Sequence, residues 1–423
     1  MGAEASASIG LMETTMWLLG SICSATAAGF YVQVSHQLGS NDPARARSTL
    51  RQGIMSVLVV SALLGLVSLA VSPFLPTWLG GNSHITPTAS AYFAIVATAL
   101  PIFQFSIFGA GMLRSSGNMV VPSVMSVVMM SLDVVFNFFL IFPTRPMELF
   151  GTQIMMPGMG LGVVGAAMGT VSAELVAASI TMYILCFRSK ELSLRIDTGR
   201  FLPTWGVVKR ALHISLPMGL QQTIMCSAYV MTTIIIAPLG TFAIAANSFG
   251  IIIESLCYMP GYGIADAATT LVGQSMGAGR HELMKRFAWL SVGLGVTVMA
   301  VMGVVMYVGA PTAMAMMTPA EEVRRLGVEV LRIEAFAEPM FAAAIVSYGV
   351  FVGAAKTLVP SIMNLVSIWG VRISLAAMLA PSMGLRGVWI AMCIELCFRG
   401  LIFLVKLKFW NIQTSCKHYG KDQ

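Results

Sequence analysis

The chain has 423 residues, of which 57% are hydrophobic and only 10% charged, against about 25% charged in a soluble globular domain. That is too few charges to coat a water-soluble surface, and long apolar runs recur at or beyond the roughly 18–20 residues that cross a bilayer. The 25 Lys and Arg outnumber the 18 Asp and Glu for a net charge of +7, but they lie between apolar segments, where basic residues orient helices, so nucleic acid is not the expected partner.

Taken in order, the apolar runs predict eleven spans, near 5–37, 52–75, 87–113, 119–142, 159–187, 211–238, 242–276, 287–310, 327–353, 358–380 and 387–409. Several are long enough to require tilted or bent helices. Pro101, Pro217, Pro260 and Pro339 fall inside runs and predict kinks, because proline removes a helical hydrogen bond and clashes with the preceding turn. Strand periodicity of the kind that builds a membrane barrel is absent. The expected fold class is an all-α polytopic membrane protein.

Basic residues cluster in every second connection. One set holds Arg45, Arg47 and Arg51, then Arg114, then Arg188, Lys190, Arg195, Arg200, Lys209 and Arg210. It continues with Arg280, Lys285 and Arg286, then Lys356, then Lys406, Lys408, Lys417 and Lys421. Positive-inside logic puts this set and the C-terminus in the cytoplasm. The expected location is the plasma (bacterial inner) membrane, crossed many times.

An internal repeat organises these spans. At one constant offset Pro101 meets Pro339, Gly111 meets Gly349, Pro122-Ser123 meets Pro360-Ser361, and Val34 and Gly39 meet Val272 and Gly277. At a shorter offset Gly160-Leu161 meets Gly384-Leu385 and Ala167-Met168 meets Ala391-Met392. The change of offset marks an insertion in the outer loop containing Pro143, Pro146 and Pro157. Corresponding segments run in the same direction, so the repeat is parallel and its axis lies along the membrane normal. The expected organisation is two pseudo-symmetric bundles, 1–190 and 208–410, a cytoplasmic linker at 191–207 and a cytoplasmic tail at 411–423. The span 211–238 opens the second half, and its counterpart would precede residue 1, so eleven of an expected twelve helices are present.

No pattern for enzymatic chemistry stands out. The five histidines are scattered, no ATP-binding loop or nucleophile elbow is present, and neither a metal site nor a cofactor is expected. The glycines at 158, 160 and 162 suit an outer-surface turn better than a phosphate cradle. The seven cysteines form no CxxC pair and read as small buried hydrophobes. The 32 methionines fit either a flexible apolar filler or an adaptable surface for varied ligands.

The acids within spans carry the information: Glu13, Asp133, Glu174, Glu254, Asp266, Glu334, Glu338 and Glu395. An acid near the bilayer centre costs about 2.5–3.5 kcal/mol on insertion scales, so it faces a cavity or a partner. Such acids exchange protons, coordinate Na+ or attract cationic substrates. The competing role is structural pairing with Arg332, Arg372 or Arg399. Asp133, Glu254 and Glu338 lie deepest or beside kink-forming residues and are the leading ion-coupling or substrate-binding candidates, with Glu334 next. Amides within apolar runs, among them Asn137, serve by default as glue between helices. Gln221 and Gln222, one turn after Pro217, are the preferred exception, because a proline frees a backbone carbonyl that neighbouring amides can help build into a polar site.

Several stretches resemble the multidrug and toxic compound extrusion (MATE) family. In the second half these are Ala245-Ala246-Asn247, the run from Glu254 through Ser255-Leu256-Cys257-Tyr258-Met259-Pro260 to Gly261, and Leu271-Val272-Gly273-Gln274-Ser275-Met276-Gly277-Ala278-Gly279. In the first half they are Val34-Ser35-His36-Gln37-Leu38-Gly39, Leu113-Arg114-Ser115-Ser116-Gly117-Asn118 and Gly165-Ala166-Ala167. The resemblance implies twelve helices in two six-helix bundles that rock about a central cavity. It implies export of amphipathic, often cationic small molecules in exchange for H+ or Na+. The expected protein is a monomer and not an enzyme. Asp133 resembles the fifth-helix acid of one branch of the family, whose first-helix aspartate is not in this sequence. The Na+-coupled branch carries acids on helices seven and ten. Here the helix-seven segment has Gln221 and Gln222, and the helix-ten segment has Glu334 and Glu338. The alternative is a flippase for lipid-linked oligosaccharides of the same superfamily. It is disfavoured because Arg372 is the one deep basic candidate.

Overall fold

The computed structural model describes residues 3–81, 84–149 and 152–410. The 411–423 tail lies outside them. Two compact units form: residues 1–34 with 42–215, and residues 35–41 with 216–423.

The first unit contains α1 (Ala3–Gly39, whose last residues belong to the second unit), α2 (Pro43–Val71), the single turn α3 (Leu75–Trp78), α4 (Thr86–Thr98), α5 (Leu100–Ser115), α6 (Val120–Ile141) and α7 (Gly162–Tyr183). The start of α2 is specified locally. Asp42 accepts from the Arg45 N–H at 2.9 Å, and Pro43 occupies the first turn, where its missing N–H costs nothing. Met12, Leu19, Cys23, Phe93 and Leu100 form one core cluster. The segment after α7 is held against α2: Arg47 pairs with Asp197 and donates to the Glu191 carbonyl at 3.0 Å, Arg51 donates to the Asp197 carbonyl, and Gln52 Oε1 accepts from both the backbone N–H and the hydroxyl of Thr204.

The second unit follows from α8 (Trp205–Ile236), inside which the unit boundary falls. It continues through α9 (Thr241–Gly277), α10 (His281–Met317), α11 (Glu321–Glu334), α12 (Glu338–Gly353), α13 (Leu358–Val366), α14 (Ser374–Met383) and α15 (Leu385–Lys408). A π-helical stretch, Ser367–Ile373, joins α13 to α14. Gly384, at φ 61°, makes the reversal between α14 and α15 that a side-chain-bearing residue resists. Two cores form, one around Trp389, Val330 and Met314, the other around Phe351, Phe403 and Val346. The end of α1 crosses α9 within this unit. The Gly39 backbone abuts the Gln274 carbonyl, and Gly277 abuts the His36 carbonyl. Each glycine thus meets the residue one turn before the other, the reciprocity seen in two-fold contacts. Beside them His36 Nε2 lies 2.7 Å from the Gly353 carbonyl.

Among the described residues nine helices are long and apolar enough to span a membrane. Two bent pairs, Thr86–Ser115 and Glu321–Gly353, bring the total to eleven. The bends are 48° and 59°, and in each the proline (Pro101, Pro339) stands in the first turn of the second helix. Pro217 and Pro260 behave differently, because the helix runs on through both.

The described chain is not wholly helical. Where an irregular outer loop was expected, β1 (Pro143–Leu149) pairs antiparallel with β2 (Thr152–Met159), with an irregularity between Pro143 and Arg145. Prolines argue against central strands, but a two-stranded ribbon consists only of edges and tolerates them. Thr144 Oγ1 donates to the Gly158 carbonyl and accepts from the Gly158 N–H, both at 3.2 Å. Gly160, at φ 67°, then donates to the Phe142 carbonyl and closes the ribbon ahead of α7.

Candidate functional site

The break between α11 and α12 places two acids side by side in the second unit. Glu334 ends one helix and Glu338 opens the next, and each is 1% exposed. All four of their carboxylate oxygens lack a hydrogen-bond partner. From α9 comes Glu254, also buried and within electrostatic reach of Glu334, Glu338, Arg372 and Arg399.

A fourth acid, Glu395 on α15, is fully enclosed and saturated. Its Oε1 accepts from Ser367 at 2.6 Å, and its Oε2 accepts from Arg372 Nε at 3.1 Å, Arg372 Nη2 at 2.8 Å and Arg399 Nη2 at 3.0 Å. Arg399 also lies over the Phe341 ring, 5.5 Å from its centroid. The π-helical stretch aims Arg372 inward, and its Trp369 Nε1 points at the Ile224 carbonyl of α8, 3.4 Å away. π-Bulges recur at functional sites because they re-aim one side chain without ending the helix. Both guanidinium groups therefore face Glu395, and Glu254, Glu334 and Glu338 remain without a committed counter-charge.

Aromatic faces adjoin this cluster. Tyr258 packs edge-on against Tyr262 and Phe341 at centroid distances of 5.7 and 5.6 Å. Tyr229 on α8 lies within electrostatic reach of Glu254 and Arg372. Carboxylates beside aromatic rings suit an organic cation that is also apolar. On α8, Gln221 is buried, with its amide nitrogen 3.5 Å from Met225 Sδ and its Oε1 without a partner, whereas Gln222 is half-buried.

In the first unit, Asp133 and Asn137 lie one turn apart on α6, both half-buried, each with an Oδ1 that lacks a partner. Asn137 fits against α7 because residue 169 is glycine, where a Cβ would collide with the Asn137 side chain. Glu174 on α7 is 5% exposed, hydrogen-bonded to Ser106 and within electrostatic reach of Asp133. Tyr92 on α4 lies within reach of Asp133 and Glu13.

The seven leading candidates thus divide between the units. Asp133 and Asn137 converge in the first, and Glu254, Glu334 and Glu338 converge in the second, with Gln221 and Gln222 on the helix that Trp369 contacts. Sequence reasoning did not rank Glu174 or Tyr92, and nothing in their spacing along separate helices signals the convergence. It also left open which acids serve as structural pairs. Glu395 and Arg399, at i and i+4 on one helix, were the readable signal. Other amides act as glue: Gln104 donates to the Cys23 carbonyl at 3.2 Å, Gln33 to that of Gly29 at 2.8 Å, and Asn247 accepts from Trp389 Nε1 at 3.1 Å.

In helices long enough to cross a bilayer many times, buried carboxyls without a hydrogen-bonded arginine, as at Glu334 and Glu338, mark an ion or substrate pathway of the kind a membrane transporter carries. The chain belongs to the MatE family, whose sequence profile matches residues 1–139 and 217–378. It is similar to a probable multidrug resistance protein NorM of Thermotoga maritima, at 24% identity over 95% of this chain and 84% of that one. It is also similar to a NorM of the same description from Chromobacterium violaceum, at 27% identity over 92% and 82%. Among solved structures, a MATE protein in the straight conformation superposes with a TM-score of 0.88 at 19% identity, covering 99% of this chain and 90% of that one. An outward-facing multidrug resistance MATE transporter of the MOP superfamily superposes with a TM-score of 0.84 over the same shares. These likenesses establish the all-α polytopic fold.

Proposed function

We propose that this chain exports amphipathic, often cationic compounds across the plasma (bacterial inner) membrane by alternating access, in exchange for H+ or Na+, as a monomer with its C-terminus in the cytoplasm. The NorM relatives support the substrate class through the multidrug resistance in their names. The observation that carries the exchange is the pair Glu334 and Glu338, buried at a helix break with no hydrogen-bond donor on either carboxylate.

A charged carboxylate held in a buried site without donors costs several kcal/mol. Binding a proton or a small cation offsets that cost, and contact with water during a change of facing releases it. Coupling follows when ion and substrate favour opposite facings, since a ligand shifts a conformational equilibrium only by its difference in affinity for the two states. Glu254, beside Tyr229 and Tyr258, is the group on which an organic cation and the coupling ion compete. Asp133, with Asn137 and Glu174, supplies a second acidic position in the first unit.

The test is dye efflux from proteoliposomes under a pH gradient or a Na+ gradient imposed separately. Wild-type protein is expected to respond to one of the two. Glu338→Gln and Glu254→Gln are expected to lower gradient-driven flux at least about tenfold, the effect of roughly 1.4 kcal/mol of lost coupling, and Asp133→Asn by less. Wild-type flux in all three variants removes the site assignment. Flux that ignores both gradients removes the antiport.

A further inference from the structure

The second unit carries an open groove of about 360 Å³ between α10, α11 and α15, lined by Tyr307, Arg332, Ile333, Phe336, Ile390, Cys393 and Ile394, and its exposed aromatic and isoleucine side chains suit a lipid-facing surface. We propose that this groove is a binding site for one anionic phospholipid, whose phosphate pairs with Arg332 and whose acyl chain lies along the isoleucines.

The charge balance of the groove selects the occupant. Arg332 is exposed, and its partners are both from Tyr307: Nε points at the backbone carbonyl, 3.4 Å away, and the guanidinium lies over the ring, 5.1 Å from its centroid. Among the described residues no carboxylate stands within ion-pair distance of it. Glu329, one turn earlier, is taken by Arg386 at 2.6 Å, and Glu334 is buried on the other face of the helix. An uncompensated guanidinium on a lipid-facing surface is expensive unless it reaches headgroups or an anion. Helical side chains lean toward the N-terminus, so this one extends toward the Glu321 end of α11, and a long basic side chain at a bilayer surface reaches for headgroups in this way. Its unused Nη groups present the fork that suits a phosphate.

The walls suit a chain rather than a polar solute. Tyr307 and Phe336, 41% and 72% exposed, pack edge-on at 5.8 Å and frame the entrance, and Ile394 is 46% exposed beside them. A cationic amphiphile fits the apolar walls equally well but meets the same sign of charge at Arg332. The assignment needs only that the chain lies in a bilayer, so it stands or falls separately from the transport reading.

The test is native mass spectrometry of protein released from nanodiscs of mixed phosphatidylglycerol and phosphatidylcholine. Wild-type protein is expected to retain phosphatidylglycerol over phosphatidylcholine about fivefold beyond the nanodisc ratio, the preference one basic residue gives for an anionic lipid. Arg332→Gln is expected to erase the preference and Arg332→Lys to keep most of it. Ile390→Trp, which fills the groove and leaves the charge, is expected to lower retention of both lipids. A wild-type protein without the preference, an Arg332→Gln variant that keeps it, or a cationic dye that displaces the lipid from the groove would each overturn the assignment.

Discussion

Glu395→Gln is expected to destabilise the second unit far more than Glu338→Gln, although both replace a fully buried carboxylate. At Glu395 the amide oxygen can still accept from Ser367, so that bond, worth about 1 kcal/mol, survives. The other position becomes an NH2 group facing three donors, Arg372 Nε and Nη2 and Arg399 Nη2. Removing one partner of a buried pair costs about 3–5 kcal/mol, because the remaining charge is left unpaired. Glu254 and Glu334 lie within electrostatic reach of Arg372 and bring the figure toward the lower end. The expected loss is therefore about 3 kcal/mol, a change of roughly 150-fold in the folding equilibrium. At Glu338 no donor is lost, and the exchange removes a carboxylate whose burial without donors is itself costly, so it is expected to be neutral or stabilising. The assay is SDS titration of the purified protein in mixed micelles, read by far-ultraviolet circular dichroism. A double-mutant cycle with Arg372→Gln assigns the pairwise part. Equal losses in the two variants, or an unchanged midpoint for Glu395→Gln, would refute the division between a satisfied acid and unsatisfied ones.

Two further outcomes follow from the packing. Gly39→Ala and Gly277→Ala each drive a methyl into a backbone carbonyl and should each cost about 1–3 kcal/mol, as overpacking does, whereas Gly20→Ala, with open space around it, should gain about 1 kcal/mol of helix propensity. The same titration separates them, and equal behaviour of all three would discount the close crossing. Arg47→Ala should release the segment that Asp197 anchors, so that trypsin cleaves at Arg195 or Arg200 several times faster in detergent while the rest of the chain stays intact. An unchanged cleavage rate would mean that Arg51 and Gln52 hold the segment without it.

The eleven spans were legible because apolar length is a one-dimensional property, and each needs about 20 residues regardless of its neighbours. Proline position was legible to a lesser extent. Pro101 and Pro339 stand just past real breaks, yet Pro217 and Pro260 sit in helices that continue, because a long helix keeps the rest of its hydrogen bonds when proline removes one. The β-ribbon was hidden by the same residues that signalled a loop, Pro143, Pro146 and Pro157. Which acids are satisfied depends on contacts between distant segments. Ser367 and Arg372 reach Glu395 from a π-helical stretch that no local pattern in Ser367–Ile373 announces. The acids themselves were legible as a set, since any carboxyl at membrane depth needs a reason to be there.

The helix break gives its two acids different roles. A helix carries partial positive charge at its N-terminus and partial negative charge at its C-terminus. Glu338 lies in the first turn of α12, where the unpaired N–H groups favour an anion, and Glu334 lies in the last turn of α11, where the free carbonyls oppose one. The difference is about 0.3–1 kcal/mol per helix end in water and up to about 2 kcal/mol where solvent is excluded. An unbroken helix at 321–353 would give neither field, because its backbone dipoles would be compensated along the whole length. The bend that Pro339 fixes therefore does more than tilt a span. It separates two chemically identical carboxyls by field, so that a negative charge in this cluster is better placed on Glu338 than on Glu334. Arg372 works against that asymmetry, because its field reaches Glu334, but its guanidinium is already committed to Glu395 by two hydrogen bonds.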